Sequence, residues 1–180
     1  MYIVSGCNGS GKSTFMRSVG EFESMPTVDP DALFVRLQSW RLVLAHLNDL
    51  IELRNDFVVE TTLSGRRMLQ RMREVRSSGF YIVVIFVGTS SPTLNVGRID
   101  TRTRLGGHAI SVDDVLRRWH SSRKNLREAA EIAHKIIILD NSSAVNRFSF
   151  VAEITDGVVL RNDSVPIWAL DTLDEISSYR

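Results

Sequence analysis

The chain has 180 residues, of which 43% are hydrophobic, and its 22 lysines and arginines against 21 aspartates and glutamates leave a formal net charge of +1. This length predicts one domain or one domain with a small appendage, and the balanced charge gives no general argument for a nucleic-acid or membrane partner. The single cysteine, Cys7, excludes an internal disulfide and suits the cytoplasm, where thiols stay reduced. No signal peptide is recognisable, and no run approaches the about 18 apolar residues of a membrane helix.

The first predicted strand, residues 1–4, leads directly into a glycine-rich segment from Gly6 to Thr14. This segment meets the pattern G-x-x-x-x-G-K-[ST], whose glycines let successive backbone N–H groups point at a phosphate. Lys12 is expected to reach the β- and γ-phosphates, and the Ser13 hydroxyl is expected to bind Mg²⁺. We therefore expect ATP or GTP with Mg²⁺, held by the loop residues Gly6, Asn8, Gly9, Ser10, Gly11, Lys12, Ser13 and Thr14.

Strands and helices alternate after this loop. Further strands are predicted at 26–28, 56–60, 81–87 and 136–139, and helices at 14–19, 30 to about 54, 64–78, 94–105 and 111–134. Two last strands, at 148–154 and 158–161, predict an antiparallel hairpin. The order predicts an α/β fold, a P-loop NTPase or kinase-like parallel sheet sandwiched by helices, with an arginine-rich helical lid and a C-terminal β-hairpin. We expect a core over residues 1–147, with residues 148–180 packed on it.

Side chains that follow the strands are expected to meet in one cleft, because ligands of parallel sheets lie beyond the carboxyl ends of the strands. Besides the phosphate loop, this gathers Asp29 and Asp31 after the second strand, and the segments 60–62, 90–91 and 140–142 after the later strands. Phosphoryl transfer to a hydroxyl needs a carboxylate near the acceptor and a metal near the phosphates. The cleft is therefore expected to contain both.

Three acids in this cleft are candidates for those roles. Asp29 can equally be a helix N-cap, and Asp31 can be a first-turn acid that complements the helix dipole. Glu60 closes an apolar strand, and its simplest alternative is an ordinary charge at a strand end. No hydrophobic strand is expected to end in the aspartate of a Walker B motif. Glu60 or one of the aspartates is therefore predicted to organise the metal, with Ser13 and Glu60 as its expected protein ligands.

A basic segment lies between residues 98 and 127, which hold eight lysines or arginines and three aspartates. Arg98 and Arg102 are four residues apart and share a helix face, and Arg118 lies on the next helix. Cationic side chains stabilise the charge of a transferred phosphoryl group, so two basic helices joined by Gly106-Gly107 predict a lid over the phosphates. The alternative is a solvated basic surface.

Several motifs in chain order resemble those of the zeta-toxin-like P-loop kinases, particularly their short branch. The phosphate loop is the first, and Asp29-Pro30-Asp31-Ala32 stands where that branch has N-P-D-x. The other matches are residues 60–65 (E-T-T-L-S-G), Arg98 and Arg102 with Gly106-Gly107-His108, Arg117-Arg118-Trp119 with Asn125-Leu126, and Asp140-Asn141-Ser142. Together they cover residues 3 to about 143, and the ordered set is specific although the phosphate loop alone is generic.

The resemblance implies a function and roles for residues. Toxins of that family phosphorylate the 3′-hydroxyl of UDP-N-acetylglucosamine with ATP or GTP, and an antitoxin is the partner it implies. The catalytic residues would be Lys12, Asp31 as base, Arg118 and one of Arg98 or Arg102. Asp29, Glu60 and Thr62 would face the acceptor, and Asn141 would bind the nucleotide. Asp29 departs from the usual asparagine, and the C-terminal hairpin lies outside the toxin pattern.

Three functions remain open from the residues. The first is a kinase acting on a hydroxyl of a small molecule. The second is a nucleotide-hydrolysing switch or assembly factor that acts through a protein partner. The third is a kinase of nucleic-acid ends, which the near-neutral charge disfavours.

Overall fold

A computed structural model describes residues 1–178, with only the backbone at residues 31, 35 and 40. Within these residues one seven-stranded sheet has the order β2-β3-β1-β4-β5-β6-β7. Five neighbouring strands are parallel: β2 (Thr27–Val28), β3 (Val58–Thr61), β1 (Tyr2–Ser5), β4 (Val83–Gly88) and β5 (Lys135–Asp140). The last two, β6 (Ser149–Thr155) and β7 (Val158–Arg161), are antiparallel. The predicted α/β class is confirmed.

Helices cover the sheet on both faces. In chain order they are α1 (Lys12–Ser18), α2 (Gly20–Glu23), α3 (Pro30–Leu37), α4 (Trp40–Glu52), α5 (Arg66–Ser77), α6 (Pro92–Arg104), α7 (Val112–Ile132) and α8 (Ile167–Ser178). Because strand side chains alternate between faces, Val84 and Phe86 of β4 join the larger core under α5, α7 and α8. Ile85 points to the smaller core beside α1 and α2. Both faces of the central strands are therefore buried, as their continuous apolar sequences require.

The long helix predicted from residue 30 to about 54 is wrong, because two helices occupy this stretch. Gln38 has a left-handed φ of 52°, and Ser39 is extended at φ −150° and ψ 113° before α4 begins. The apolar spacing continues across both helices, so periodicity alone could not reveal the break. The helix α8 was not predicted, although its buried residues, among them Trp168, Leu173 and Ile176, lie at helical spacing.

The C-terminal hairpin is confirmed, and it extends the main sheet. β6 pairs with β5, and β7 pairs with β6. The turn residues Asp156 and Gly157 have φ values of 48° and 74°. Two successive left-handed residues are what a two-residue hairpin turn needs to match the twist of its strands. The hairpin therefore continues the sheet beyond β5.

His134 makes a half-buried contact that predicts a pH-dependent stability. Its Nδ1 accepts a hydrogen bond from the Ile82 backbone N–H at 3.0 Å, and its ring stacks on Tyr81 with 4.5 Å between centroids. Burial, and then the nearby Arg76 charge, lower the pKa of His134 from its ordinary value of 6.5. Because the folded-state pKa lies below the unfolded one, this stability is present above about pH 6.5 and is lost as the pH falls through the folded pKa.

We expect His134→Ala to lower the free energy of unfolding by about 1–2 kcal/mol at pH 7.5, since the Ile82 N–H loses its acceptor. The difference from wild type should shrink as the pH falls below 6.5. Urea unfolding at several pH values measures both effects. His46→Ala, which changes an exposed histidine of α4, is the control and should stay within about 0.5 kcal/mol of wild type. Equal losses in both variants at all pH values would contradict the assignment.

Candidate nucleotide-binding and transfer site

The phosphate loop joins the carboxyl end of β1 to the N-terminus of α1. Gly6 and Gly11 have φ values of 136° and 102°, which residues with side chains rarely adopt. A Cβ on Gly6 would lie 2.2 Å from the Val87 carbonyl oxygen, and one on Gly11 would lie 2.3 Å from Asn141 Nδ2. Neighbouring strands and loops therefore close directly on this backbone, which leaves its inner side for an anion at a helix N-terminus.

Lys12, Ser13 and Glu60 form a polar group at the base of the loop. Lys12 is 7% exposed; its Nζ donates to the Cys7 carbonyl at 3.3 Å and lies 3.9 Å from Glu60 Oε1. The Ser13 hydroxyl donates to the two Glu60 oxygens, at 3.0 and 3.1 Å. Burial lowers the pKa of Lys12, and the Glu60 charge acts against that shift. Parallel pairing of β1 with β3 brings Glu60 here from 47 residues away.

Two of the three predicted arginines, Arg98 and Arg118, contact the phosphate loop. Arg98 donates to the Asn141 carbonyl at 2.8 Å and to the Gly9 carbonyl at 3.5 Å. Arg118 donates to Asn8 Oδ1 at 2.9 Å. Arg102 is exposed and donates to the His108 carbonyl at 3.2 Å, so it lies farther out. α6 and the first turns of α7 therefore bring three cationic side chains to the site.

A cavity of about 620 Å³ lies over the phosphate loop. It contains loop residues, Glu60, Arg98, Arg102 and Asn141. Sequence reasoning missed four of its members: Arg17, Ala144, Arg147 and Phe148. Arg147 and Phe148 come from the connection between β5 and β6, which carries no recognisable motif. Phe148 packs edge-on against Phe15 of α1 with 5.3 Å between ring centroids, and this tertiary contact helps to hold the end of the connection at the cavity.

A second cavity, of about 430 Å³, also includes Lys12. Its lining includes Thr61 and Thr62 at the end of β3, His108 and Ile110 from the connection between α6 and α7, and Arg118 of α7. Thr62 is buried, and its hydroxyl shares a 2.8 Å hydrogen bond with Ser64. The two cavities share four residues, namely Asn8, Lys12, Asp29 and Glu60. The arrangement can hold two ligands that meet at Lys12.

The two aspartates after β2 differ in what the structure describes. Asp29 lines both cavities, and its Oδ1 accepts from the Ala32 backbone N–H at 3.1 Å, as a helix N-cap does. Asp31 is the second residue of α3, and its side chain lies outside the described part of the structure. Asp29 therefore caps α3 and lines both cavities at the same time.

One further acid closes an apolar strand of the sheet. β5 ends in Asp140, which lines neither of the two cavities. Asp140 Oδ1 accepts from Trp168 Nε1 at 2.8 Å and from the Ser142 hydroxyl at 2.6 Å. Asp140 therefore anchors α8 to the end of the sheet. Glu60 is the acid that contacts Ser13.

The predicted basic segment also divides into two parts. The Arg123 guanidinium lies 4.3 Å from the Trp119 ring centroid and 5.6 Å from that of Trp168, and it donates to the Trp168 carbonyl. Its position supports the packing of α8 on α7. The buried residues Leu126, Ala129 and Ile132 make the second half of α7 a core helix. The part of the segment that lines the two cavities extends from Arg98 to Arg118.

The fold and the site define the class of this protein as a P-loop protein with a kinase-like sheet. No protein-family model matches the chain. A protein of Haemophilus influenzae, itself described as uncharacterized, is 32% identical over 124 residues, which cover 63% of this chain and 88% of that protein. The chain belongs to the same family as this Haemophilus influenzae protein.

Solved structures with low sequence identity share the fold. One describes the PezAT chromosomal toxin-antitoxin system of Streptococcus pneumoniae, with 16% identity, a TM-score of 0.60 and coverage of 100% of this chain and 79% of that one. An AvrRxo1-ORF1:-ORF2 complex with ATP has 10% identity, a TM-score of 0.63 and coverage of 98% and 63%. The Pnkp1/Rnl/Hen1 RNA repair complex has 21% identity, a TM-score of 0.58 and coverage of 71% and 45%.

These likenesses confirm the zeta-toxin-like P-loop kinase resemblance at the level of the fold. This chain spans less than two thirds of the matched AvrRxo1 and RNA repair chains. Across residues 1–178, none of the helices has the length and apolar character needed to span a bilayer.

Proposed function

We propose that the protein is a phosphotransferase that moves the γ-phosphoryl group of ATP or GTP to a hydroxyl of a small molecule. The observation that carries this proposal is the pair of cavities that share Asn8, Lys12, Asp29 and Glu60. A hydrolytic switch needs one ligand cavity, whereas a transferase needs a donor and an acceptor cavity that meet at the phosphoryl group. The larger cavity contains the phosphate loop and is the donor cavity; the other is the acceptor cavity.

The donor side is supported by the chemistry of its residues. Backbone N–H groups of Gly9, Gly11 and Lys12 suit the phosphates, and the Lys12 ammonium suits the β- and γ-oxygens. Arg98, Arg102 and Arg118 are positioned to neutralise charge that develops on the transferred group. We extend the same nucleotide-binding role to Asn8, Ser10, Thr14 and Asn141.

Ser13 and Glu60 fit a Mg²⁺ ion that is bound together with the nucleotide. Their oxygens are the hard ligands that Mg²⁺ prefers, and it commonly uses one or two protein groups besides phosphates and water. With the Asp31 side chain left aside, no cluster of three or more His, Cys, Asp or Glu side chains forms a separate metal site in residues 1–178. When bound, Mg²⁺ would neutralise charge on the β- and γ-oxygens.

Transfer requires that the acceptor hydroxyl lose its proton as its oxygen attacks the γ-phosphorus, while the bond to the β-phosphate oxygen breaks and leaves the nucleoside diphosphate. We assign the proton to Asp31, because Asp29 is engaged as the cap of α3. Asp29, Glu60 and Thr62 line the acceptor cavity and would orient the hydroxyl.

The acceptor that we propose is UDP-N-acetylglucosamine, as in the toxins that the motifs resemble. The fold shared with the PezAT system supports this choice and supports an antitoxin as protein partner. A single cysteine supports a cytoplasmic location. We also propose residues 1–147 as the catalytic core, with residues 148–180 continuing its sheet.

The deciding experiment is mass-spectrometric detection of a phosphorylated product after incubation with Mg·ATP and UDP-N-acetylglucosamine. A product with the mass of one added phosphoryl group supports the whole proposal. Transfer to another member of a metabolite pool would keep the transferase and replace the acceptor. Transfer to a 5′-hydroxyl RNA oligonucleotide would favour a nucleic-acid kinase. ATP hydrolysis with no acceptor in any pool would favour the switch.

The choice of base is tested by two asparagine variants. We expect Asp31→Asn to retain ATP binding and to lose about 10²–10⁴-fold of the transfer rate, the usual contribution of general base catalysis. Asp29→Asn should keep most of the rate, because asparagine is an equally good N-cap. Single-turnover transfer and calorimetric ATP binding measure the two effects. If Asp29→Asn is the inactive variant, the base is Asp29.

A further inference from the structure

Four successive carbonyl groups of the phosphate loop accept hydrogen bonds from side chains, three of which come from other elements. Successive carbonyls of Cys7, Asn8, Gly9 and Ser10 accept hydrogen bonds from Lys12, Asn95, Arg98 and Asn141, respectively. A loop whose N–H groups converge on an anion must turn its carbonyls outward, where each needs a donor. These bonds therefore favour the shape that the anion requires.

Asn95 differs from the other three donors because it is fully buried and is not among the residues that line the donor or acceptor cavity. Its Nδ2 donates to the Asn8 carbonyl at 2.7 Å. Its own backbone carbonyl also lies close to the loop, since a Cβ on Gly9 would come within 2.6 Å of it. The first turns of α6 are thus packed directly against the middle of the loop.

Thr89 and Trp119 fix the orientation of the Asn95 amide through hydrogen bonds. Trp119 Nε1 donates to Thr89 Oγ1 at 3.3 Å, and the Thr89 hydroxyl donates to Asn95 Oδ1 at 2.6 Å. Because the indole N–H can only donate, the Thr89 hydrogen is directed to Asn95 Oδ1, which leaves the amide N–H groups for the Asn8 carbonyl. The chain of bonds runs in one direction, from α7 to the phosphate loop.

We infer that Asn95 is a positioning residue for nucleotide binding, which acts through the Asn8 carbonyl and is itself oriented by Thr89 and Trp119. The inference rests on the proposed function, because it assumes that the loop binds phosphates. The buried first turn of α6 thereby gains a role in the affinity for the triphosphate. This role is separate from that of the arginines of the same helix. Asn95 touches neither the nucleotide nor the reacting atoms in this assignment.

The test compares Asn95→Ala and Asn95→Leu with wild type by isothermal titration of ATP and of inorganic tripolyphosphate. We expect Kd to rise about tenfold for both ligands, because one buried hydrogen bond to the loop is lost and the nucleoside is not involved. The leucine variant keeps nearly the size of the side chain and adds no charge, but it has no amide N–H. Thr89→Val should raise Kd by a smaller factor.

Asn125→Ala is the matched control. Asn125 Nδ2 donates to the Leu63 carbonyl at 2.9 Å, a bond of the same kind to a different loop. This variant should lose about as much thermal stability as the Asn95 variants. Its Kd for ATP should nevertheless stay within twofold of wild type. An unchanged Kd in both Asn95 variants would overturn the inference. An equal rise of the Kd for ATP in Asn125→Ala would also overturn it. Wild-type protein that bound neither ligand would overturn the proposed function and the inference with it.

Discussion

Replacing Lys12 by methionine is expected to abolish phosphoryl transfer while leaving the fold intact. The ammonium is the buried cation of the donor cavity, and removing one preorganised donor to a developing charge costs about 10²–10³-fold in rate, or more. Methionine fills nearly the same volume. Burial lowers the pKa of Lys12, but methionine leaves the Glu60 carboxylate without its cationic partner, so we expect some loss of stability.

Two measurements separate these effects, namely the transfer rate and the midpoint of thermal unfolding. Lys12→Met should lose the rate and still unfold in one cooperative transition, with a lowered midpoint. Arg104→Ala is the control, because Arg104 is an exposed cation of α6 that pairs with Asp100 at 2.8 Å and does not line the donor cavity. Its rate should stay within about twofold of wild type. Full activity in Lys12→Met would contradict the proposed function.

Replacing Glu60 by glutamine is expected to raise the Mg²⁺ concentration that half-saturates transfer and to lower the maximal rate by about 10²-fold. Glutamine keeps the shape of the side chain but removes the charge that lies 3.0–3.1 Å from the Ser13 hydroxyl. Metal affinity falls when a charged oxygen ligand is neutralised, because hard cations prefer carboxylates. Initial rates over a Mg²⁺ titration at saturating nucleotide measure both changes.

Glu153→Gln serves as the control for Glu60→Gln. Glu153 is a carboxylate of β6 that pairs with Lys135 at 2.9 Å and lines neither the donor nor the acceptor cavity. This variant should show the wild-type Mg²⁺ dependence. If Glu60→Gln also shows the wild-type Mg²⁺ dependence, Glu60 does not organise the metal. Its contact with Ser13 would then serve only the fold.

The candidate site was predictable where its residues follow one another or close a strand. The loop from Gly6 to Thr14 is a contiguous pattern, and Glu60 could be placed because parallel strands end at one edge of a sheet. Arg147 could not be found in this way, since it lies in an irregular connection that tertiary contacts, among them the packing of Phe148 on Phe15, hold at the donor cavity. The same limit hid the role of Asp140, whose partner Trp168 lies in an unpredicted helix.

Local pattern alone determined that the chain has a phosphate loop, an alternating α/β order and a terminal hairpin, because glycine conformations, strand periodicity and turn residues act over a few neighbours. Tertiary structure decided how the loop is held. Its carbonyls meet Asn95 and Asn141 across 87 and 131 residues, and Asn8 Oδ1 meets Arg118 across 110 residues. Such contacts depend on the order of strands in the sheet and on how α6 and α7 pack behind it, which no local pattern encodes.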